Sequence, residues 1–142
     1  MNSKQIQLVQ ETFNMVGSSA DEVAALFYQR LFELEPELRP LFKSDLHHQG
    51  KKLMSTLALV VNGLTRPETI LAAVQHLGRR HVGYGVQEED YEIVGQALIW
   101  TLAQTFGAAF TPEIEEAWVE AYTMLANIMQ EAAAVSMPMA YA

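Results

Sequence analysis

Apolar residues recur along nearly all of this 142-residue chain at intervals of three and four, and no segment alternates with period two for long enough to form a strand. At about 100° per residue, such spacing gathers apolar side chains on one face of a helix. A chain built this way folds by packing helical faces together, so the expected class is all-α.

Start and stop signals divide the helices. Ser3 is expected to cap a first helix over residues 3–16, broken by Gly17-Ser18. Ser19 with Glu22 makes a capping-box pattern for a second helix. That helix ends near Glu35, because Pro36 disfavours helical geometry in the residue before it. A short helical turn over residues 36–41 follows. Asp45 is expected to cap a long helix over residues 46–62, with Gly63 ending it. Pro67 suits the first turn of a fourth helix that stops at residues 83–85. A fifth begins at residues 88–90 and ends at Gly107. Thr111-Pro112-Glu113 starts the last, which runs through Trp118 and Tyr122 to about Ala133, leaving a frayed tail from about residue 135.

The length suits one domain over residues 1–142. Half of the residues are hydrophobic, which is a globular composition. A net charge of −8 with only nine Lys and Arg argues against a nucleic-acid partner. The basic pairs Lys51-Lys52 and Arg79-Arg80 are either solvated helix faces or clamps for one or two carboxylates. The absence of cysteine excludes disulfides, thiolate metal sites and any thioether-attached haem or bilin, and it fits a reducing cytoplasm. The first five residues lack the apolar core of a signal peptide. Residues 93–112 carry no charge over a length that could span a membrane. Gln96, Thr101, Gln104 and Thr105 interrupt that run, so a helix buried in a bundle is expected there, with no membrane partner.

One histidine stands out. Ile70, Val74, Leu77 and His81 share a helical face, which aims His81 at the core. His76 lies about 140° away on the same helix, His47 about 100° from its own apolar stripe, and His48 opposite that stripe. Tyr28 falls on the core stripe between Ala24 and Leu31. Gln49 lies about 60° from the centre of the stripe Leu46, Gly50, Leu53, Leu57 and Val60, at its inward edge. A buried polar group left without a partner costs about 1–3 kcal/mol. Each of the three could be satisfied by a backbone carbonyl or a buried water. Together they suggest a polar spot inside an apolar cavity. One imidazole cannot make a structural zinc site. No nucleophile triad accompanies it, and Gly83-Tyr84-Gly85 does not extend to a phosphate-binding loop. A single imidazole can hold a metal whose other positions are filled by a macrocycle, and haem iron is the usual case.

The order of further pieces carries a family resemblance: Leu41-Phe42, Gln49, Lys52-Leu53-Met54, Leu77-Gly78-Arg79-Arg80-His81, Tyr91-Glu92-Ile93-Val94-Gly95, then Phe110-Thr111-Pro112 and Ala117-Trp118 before Tyr122. Over residues 6–129 the chain resembles a globin, most of all the single-domain globins related to neuroglobin and to bacterial haemoglobins. The resemblance implies a three-over-three helical sandwich around non-covalent haem b. It implies His81 as proximal iron ligand, Phe42 packed flat on the porphyrin, Leu77 and Tyr91 as further haem contacts, and Leu53 over the iron. Tyr28 and Gln49 would hydrogen-bond the bound gas. Lys52, and less strongly Arg80, match positions that pair with haem propionates. Gly50 and Ala24 fit a close helix crossing.

The implied activity is reversible binding of dioxygen, nitric oxide and carbon monoxide by a monomer or weak homodimer. Nitric-oxide dioxygenation or nitrite and peroxide chemistry with an external reductase is the first alternative, and a haem-based gas or redox sensor the second. Bacterial flavohaemoglobin-type globins support the proximal histidine with a tyrosine and a glutamate. Tyr91 matches the tyrosine, but Ala133 stands where the glutamate would be, and Glu131 lies about 200° away on the helix. The expectation is an iron that binds gas more than it breaks oxygen–oxygen bonds.

Overall fold

The described residues form six α-helices joined by 3-10 turns and short loops. The computed structural model describes residues 1–43 and 45–139, with the side chains of 135–139 excepted. The helices are α1 (Ser3–Met15), α2 (Ala20–Leu34), α3 (Leu46–Asn62), α4 (Leu71–Gly83), α5 (Glu88–Phe106) and α6 (Pro112–Met139). No strand occurs among the described residues. The last helix continues to Met139 instead of stopping near Ala133. The tail expected to fray falls mostly on side chains or residues outside those described.

Helix positions follow the sequence closely, while the caps differ in detail. Asn2, not Ser3, caps α1: its Oδ1 accepts from the Gln5 N–H at 2.8 Å and its own N–H donates to Gln5 Oε1 at 3.0 Å. The capping box expected at Ser19 does not form. Ser19 is the last residue of a 3-10 turn (Gly17–Ser19), at φ −116° and ψ 21°. That is far from the extended backbone from which a cap side chain reaches over the first turn. Asp45 occupies the cap of α3 with extended backbone, but its side chain makes no capping bond. Pro67 opens a separate 3-10 turn (Pro67–Thr69), so α4 begins later, at Leu71. Gln87 and Asp90 make a reciprocal box at the start of α5. Gly107, at φ 57°, ends that helix in a conformation that favours glycine.

Helix α6 packs on α1, α4 and α5, while α2 lies between α3 and α5. Helix α3 is held by α1 and α2, and it does not pack extensively on α4. Val9, Leu31, Ala97, Leu102, Ala117 and Trp118 are among the residues that form the dry centre. Phe42, Leu53, Leu77 and Tyr91 pack against this core while staying partly exposed. No described helix is long and apolar enough to cross a membrane; residues 93–112 instead bury one side of α5 through Gly95, Ala97, Leu98, Thr101 and Leu102.

Two glycines set helix spacing. A Cβ added at Gly50 would come within 3.0 Å of Ala24 Cβ, so α2 and α3 cross closely at this pair, as expected. At Gly78 an added Cβ would overlap the Met129 backbone. Backbone cannot yield as a flexible side chain can, so Gly78 seats α4 directly on α6. A polar link joins α1 to α6 inside the core: Trp118 Nε1–H donates to Thr12 Oγ1 at 2.9 Å, and that hydroxyl donates to the Leu8 carbonyl at 2.7 Å.

Two stability predictions follow from these contacts. Thr12→Val keeps the shape but strands the buried Trp118 N–H, and should cost about 1–3 kcal/mol. Gly78→Ala must push α4 away from α6, at about 1–3 kcal/mol for overpacking. Urea unfolding of each variant measures both, and a midpoint equal to that of the parent chain would contradict the corresponding contact.

Candidate functional site

His81 lies in the last turn of α4, half-buried. Its Nδ1 lies 2.8 Å from the Leu77 carbonyl, one turn earlier. A carbonyl only accepts, so Nδ1 carries the proton and donates, and Nε2 is left with a free lone pair. Burial lowers the basicity of the imidazole below its ordinary value; the Leu77 carbonyl opposes this, and the charge of Arg80 adds to it. The ring is therefore neutral near pH 7. Tyr84 and Tyr91 flank it, with ring centroids at 5.6 and 6.4 Å.

Tyr91 is placed from α6. The Tyr122 hydroxyl donates to the Tyr91 carbonyl. Gly95 makes this approach feasible, since a Cβ there would sit 2.7 Å from Tyr122 Cε2. Burial raises the pKa of both phenols, with Tyr91 adding to the effect on Tyr122. On α6, Ala133 is half-buried and Glu131 exposed, so the only carboxylate near that position on the helix faces away from the core.

The second group of residues centres on Tyr28. It is 5% exposed and sits among aromatic rings: Phe27 at 5.2 Å, Phe42 at 5.4 Å edge-on and Phe32 at 6.1 Å stacked. Burial alone pushes its pKa up to about 12. Its hydroxyl makes no hydrogen bond among the described residues. The ring borders α3 at Gly50, whose added Cβ would lie 3.9 Å from Tyr28 Cε2, and Gln49 is the neighbouring residue. Gln49 is half-buried with its amide also unbonded among the described residues, whereas His47, His48 and His76 are exposed.

The residues singled out from the sequence thus fall into two groups: His81, Leu77 and Tyr91 on α4 and α5, and Tyr28, Gln49 and Phe42 around the start of α3. Leu53 is half-buried on α3 below Gln49. Lys52 and Arg80 are exposed and make no ion pair among the described residues. Sequence reasoning quoted Gly78 and Tyr122 only as pieces of the resemblance, without a structural role, and passed over Arg39, whose side chain donates to the Phe42 carbonyl at 3.1 Å. A glycine in mid-helix is a signal of close approach that could have marked Gly78. Tyr122 and Arg39 carry no comparable local signal.

Chemically, the site offers one neutral imidazole nitrogen in an apolar setting, and a phenol and an amide free to donate. Among the described residues no group of three or more His, Cys, Asp or Glu gathers to hold a metal ion by itself. This donor set fits a metal that arrives inside its own macrocycle and needs one axial nitrogen. An imidazole oriented by a carbonyl on its other nitrogen is the usual form of a histidine ligand. The Tyr28 hydroxyl, unbonded among the described residues, is free to donate to a polar guest bound beside it.

Comparison with known proteins gives a consistent result. The flavohaemoprotein of Rhodopirellula baltica is 34% identical over 131 residues, covering 90% of this chain and 32% of the relative. That of Vibrio cholerae is 29% identical over 131 residues, covering 90% of this chain and 33% of the relative. The chain therefore spans about a third of the length of these curated relatives. Among solved structures, an engineered carbene transferase derived from a Rhodothermus marinus protein assigned as a nitric oxide dioxygenase matches with a TM-score of 0.90 at 26% identity, covering 100% of this chain and 99% of its own. Residues 25–129 match the Globin family itself, and with the all-helical architecture and its close α2–α3 crossing already established, the chain belongs to the globins.

Proposed function

We propose that this globin binds haem b non-covalently through His81 and takes up dioxygen and other diatomic gases reversibly. The observation that carries the proposal is the pairing of a tautomer-locked His81, its Nε2 free, with a Tyr28 hydroxyl that stands on a 5%-exposed ring and makes no hydrogen bond among the described residues. Bound haem supplies a ferrous iron able to bind a diatomic gas and pass electron density to it. In this reading Phe42, Leu53 and Leu77 supply apolar wall, and Tyr91 flanks the imidazole. Lys52 and Arg80, exposed on α3 and α4, would pair with the propionates.

The protein's own contribution is orientation and hydrogen bonding. Leu77 holds the His81 ring by its Nδ1–H and strengthens Nε2 as a donor to metal. Tyr28 and Gln49 donate to the gas, which carries partial negative charge once bound. Hydrogen bonds to charged groups are worth about 1.5–3 kcal/mol each, or about tenfold to a hundredfold in affinity. Nitric-oxide dioxygenation with a reductase as electron donor is the second reading, favoured by the name of the structural neighbour. By the resemblance, Ala133 stands where flavohaemoglobin-type globins carry the supporting glutamate, which favours gas binding over peroxide cleavage.

Three outcomes are expected of the haem-loaded chain. Tyr28→Phe should speed dioxygen release about tenfold or more in stopped-flow displacement by carbon monoxide; an unchanged rate removes Tyr28 from the role. Because burial holds the Tyr28 phenol protonated up to about pH 12, its donor capacity persists through the alkaline range. The same release rate should stay flat from about pH 7 to 10, whereas a rise centred near the ordinary tyrosine value of about 10 would contradict the buried-donor account. His81→Ala should lose haem to excess apomyoglobin far faster than the parent chain, and equal retention would overturn the axial assignment.

A further inference from the structure

The segment that delivers Phe42 to the site has little regular structure to hold it. It leaves the 3-10 turn Pro36–Leu41, and α3 begins only at Leu46. From within the turn Arg39 brackets Phe42 on both sides, once with its backbone carbonyl and once with its side chain. The Phe42 N–H donates to the Arg39 carbonyl at 3.1 Å, and the Phe42 carbonyl accepts from Arg39 Nη1–H at 3.1 Å. Both peptide groups of Phe42 are thus satisfied by the same residue. The Arg39 guanidinium also lies over the Phe32 ring, 5.6 Å from its centroid, within the range of an attractive cation–π contact.

Phe32 belongs to α2 and completes a trio of rings. It meets Phe42 edge-on at 5.5 Å and stacks on Tyr28 at 6.1 Å, and Tyr28 meets Phe42 edge-on at 5.4 Å. Edge-on and stacked pairs at such separations are the favoured geometries, and each ring limits the others. Arg39 ties the backbone of the irregular segment to the α2 side of this trio. It does so from an exposed position, so its charge remains in water while its planar face and one N–H do the holding.

From this geometry we infer that Arg39 is a positioning residue of the gas pocket, holding the Phe42 backbone on Phe32 and so keeping Phe42 and Tyr28 in register. This inference rests on the haem-globin reading for its consequences, though the clamp itself does not. Arg39 touches neither the iron ligand nor the gas; it acts through the two rings. Arginine suits the task better than lysine, because only the guanidinium combines a flat face for Phe32 with a directed N–H for the carbonyl.

The test uses the 142-residue chain as purified, with Arg39→Ala and Arg39→Lys, each also combined with Tyr28→Phe. Backbone amide exchange at Phe42, followed by NMR, reads the clamp through local opening, because the Arg39 carbonyl that accepts from this N–H survives substitution of the side chain. Arg39→Ala should speed that exchange at least tenfold, with amides at the centre of α6 unchanged. Dioxygen release and haem transfer to apomyoglobin read the consequence. Arg39→Ala should raise both about three- to fivefold, the effect on dioxygen release should fall below about 1.5-fold when Tyr28 is already Phe, and Arg39→Lys should recover part of the loss. Protected exchange at Phe42 in Arg39→Ala overturns the clamp. Faster exchange with both rates within 1.5-fold of the parent overturns the positioning role, as does a lowered melting temperature with unchanged rates. A parent chain that takes up no haem at all defeats the functional reading instead, while the exchange measurement still decides the clamp.

Discussion

A histidine can present a lone pair from one ring nitrogen only while the other carries the proton. In this globin the Leu77 carbonyl, 2.8 Å from His81 Nδ1, settles which nitrogen that is. Much of the surrounding structure serves that bond. It requires α4 to be an intact helix through residues 77–81, because donor and acceptor are one turn apart. The place of that bond in the fold is set by α6, because Gly78 seats α4 directly on the Met129 backbone. Burial keeps the imidazole neutral, so the free nitrogen remains available near neutral pH. In the proposed site His81 is the single ligand, with no second one to correct its placement, so its accuracy comes from helix packing.

Long helix α6 acts as the common support. It seats α4 at Gly78, holds Tyr91 by the Tyr122 hydroxyl, and ties α1 through Trp118 and Thr12. On the other side, α2 plays the same part for Tyr28, Phe32 and, through the close crossing at Ala24, the start of α3 with Gln49. Two rigid supports thus carry two chemically different groups of residues, a basic nitrogen and a pair of donors. The partly exposed apolar residues Phe42, Leu53 and Leu77 belong to neither support fully, as suits residues whose missing contacts a bound planar group would supply.

Much of this was legible in the sequence because its cause is periodic. The six helices follow from stripes of apolar residues, and His81, Tyr28 and Gln49 were visible because each breaks such a stripe in kind but not in position. The capping box at Ser19 failed since the pattern is silent about the preceding 3-10 turn, which twists Ser19 out of the extended conformation a cap needs. Arg39 left no trace for a different reason. It is an exposed residue in a non-periodic segment, and its partners are a backbone carbonyl and a ring on another helix. Contacts made by reach rather than by register are not written in spacing. The same holds for Tyr122, whose partner is again a carbonyl. Gly50 was readable as a small residue on an apolar stripe, while Gly78, lying next to Leu77 on the inner side of α4, needed the position of α6 to give it meaning.

The central claim is that His81 alone among the protein's side chains binds the iron, with His47 and His48 turned to solvent. The absorbance spectrum of the haem-loaded ferrous chain, free of added gas, tests it most directly. The account predicts the broad, single visible band of five-coordinate high-spin haem, lost in His81→Ala. A sharp pair of visible bands from a low-spin, six-coordinate haem in the parent chain would mean that a second side chain occupies the gas position, and would contradict it.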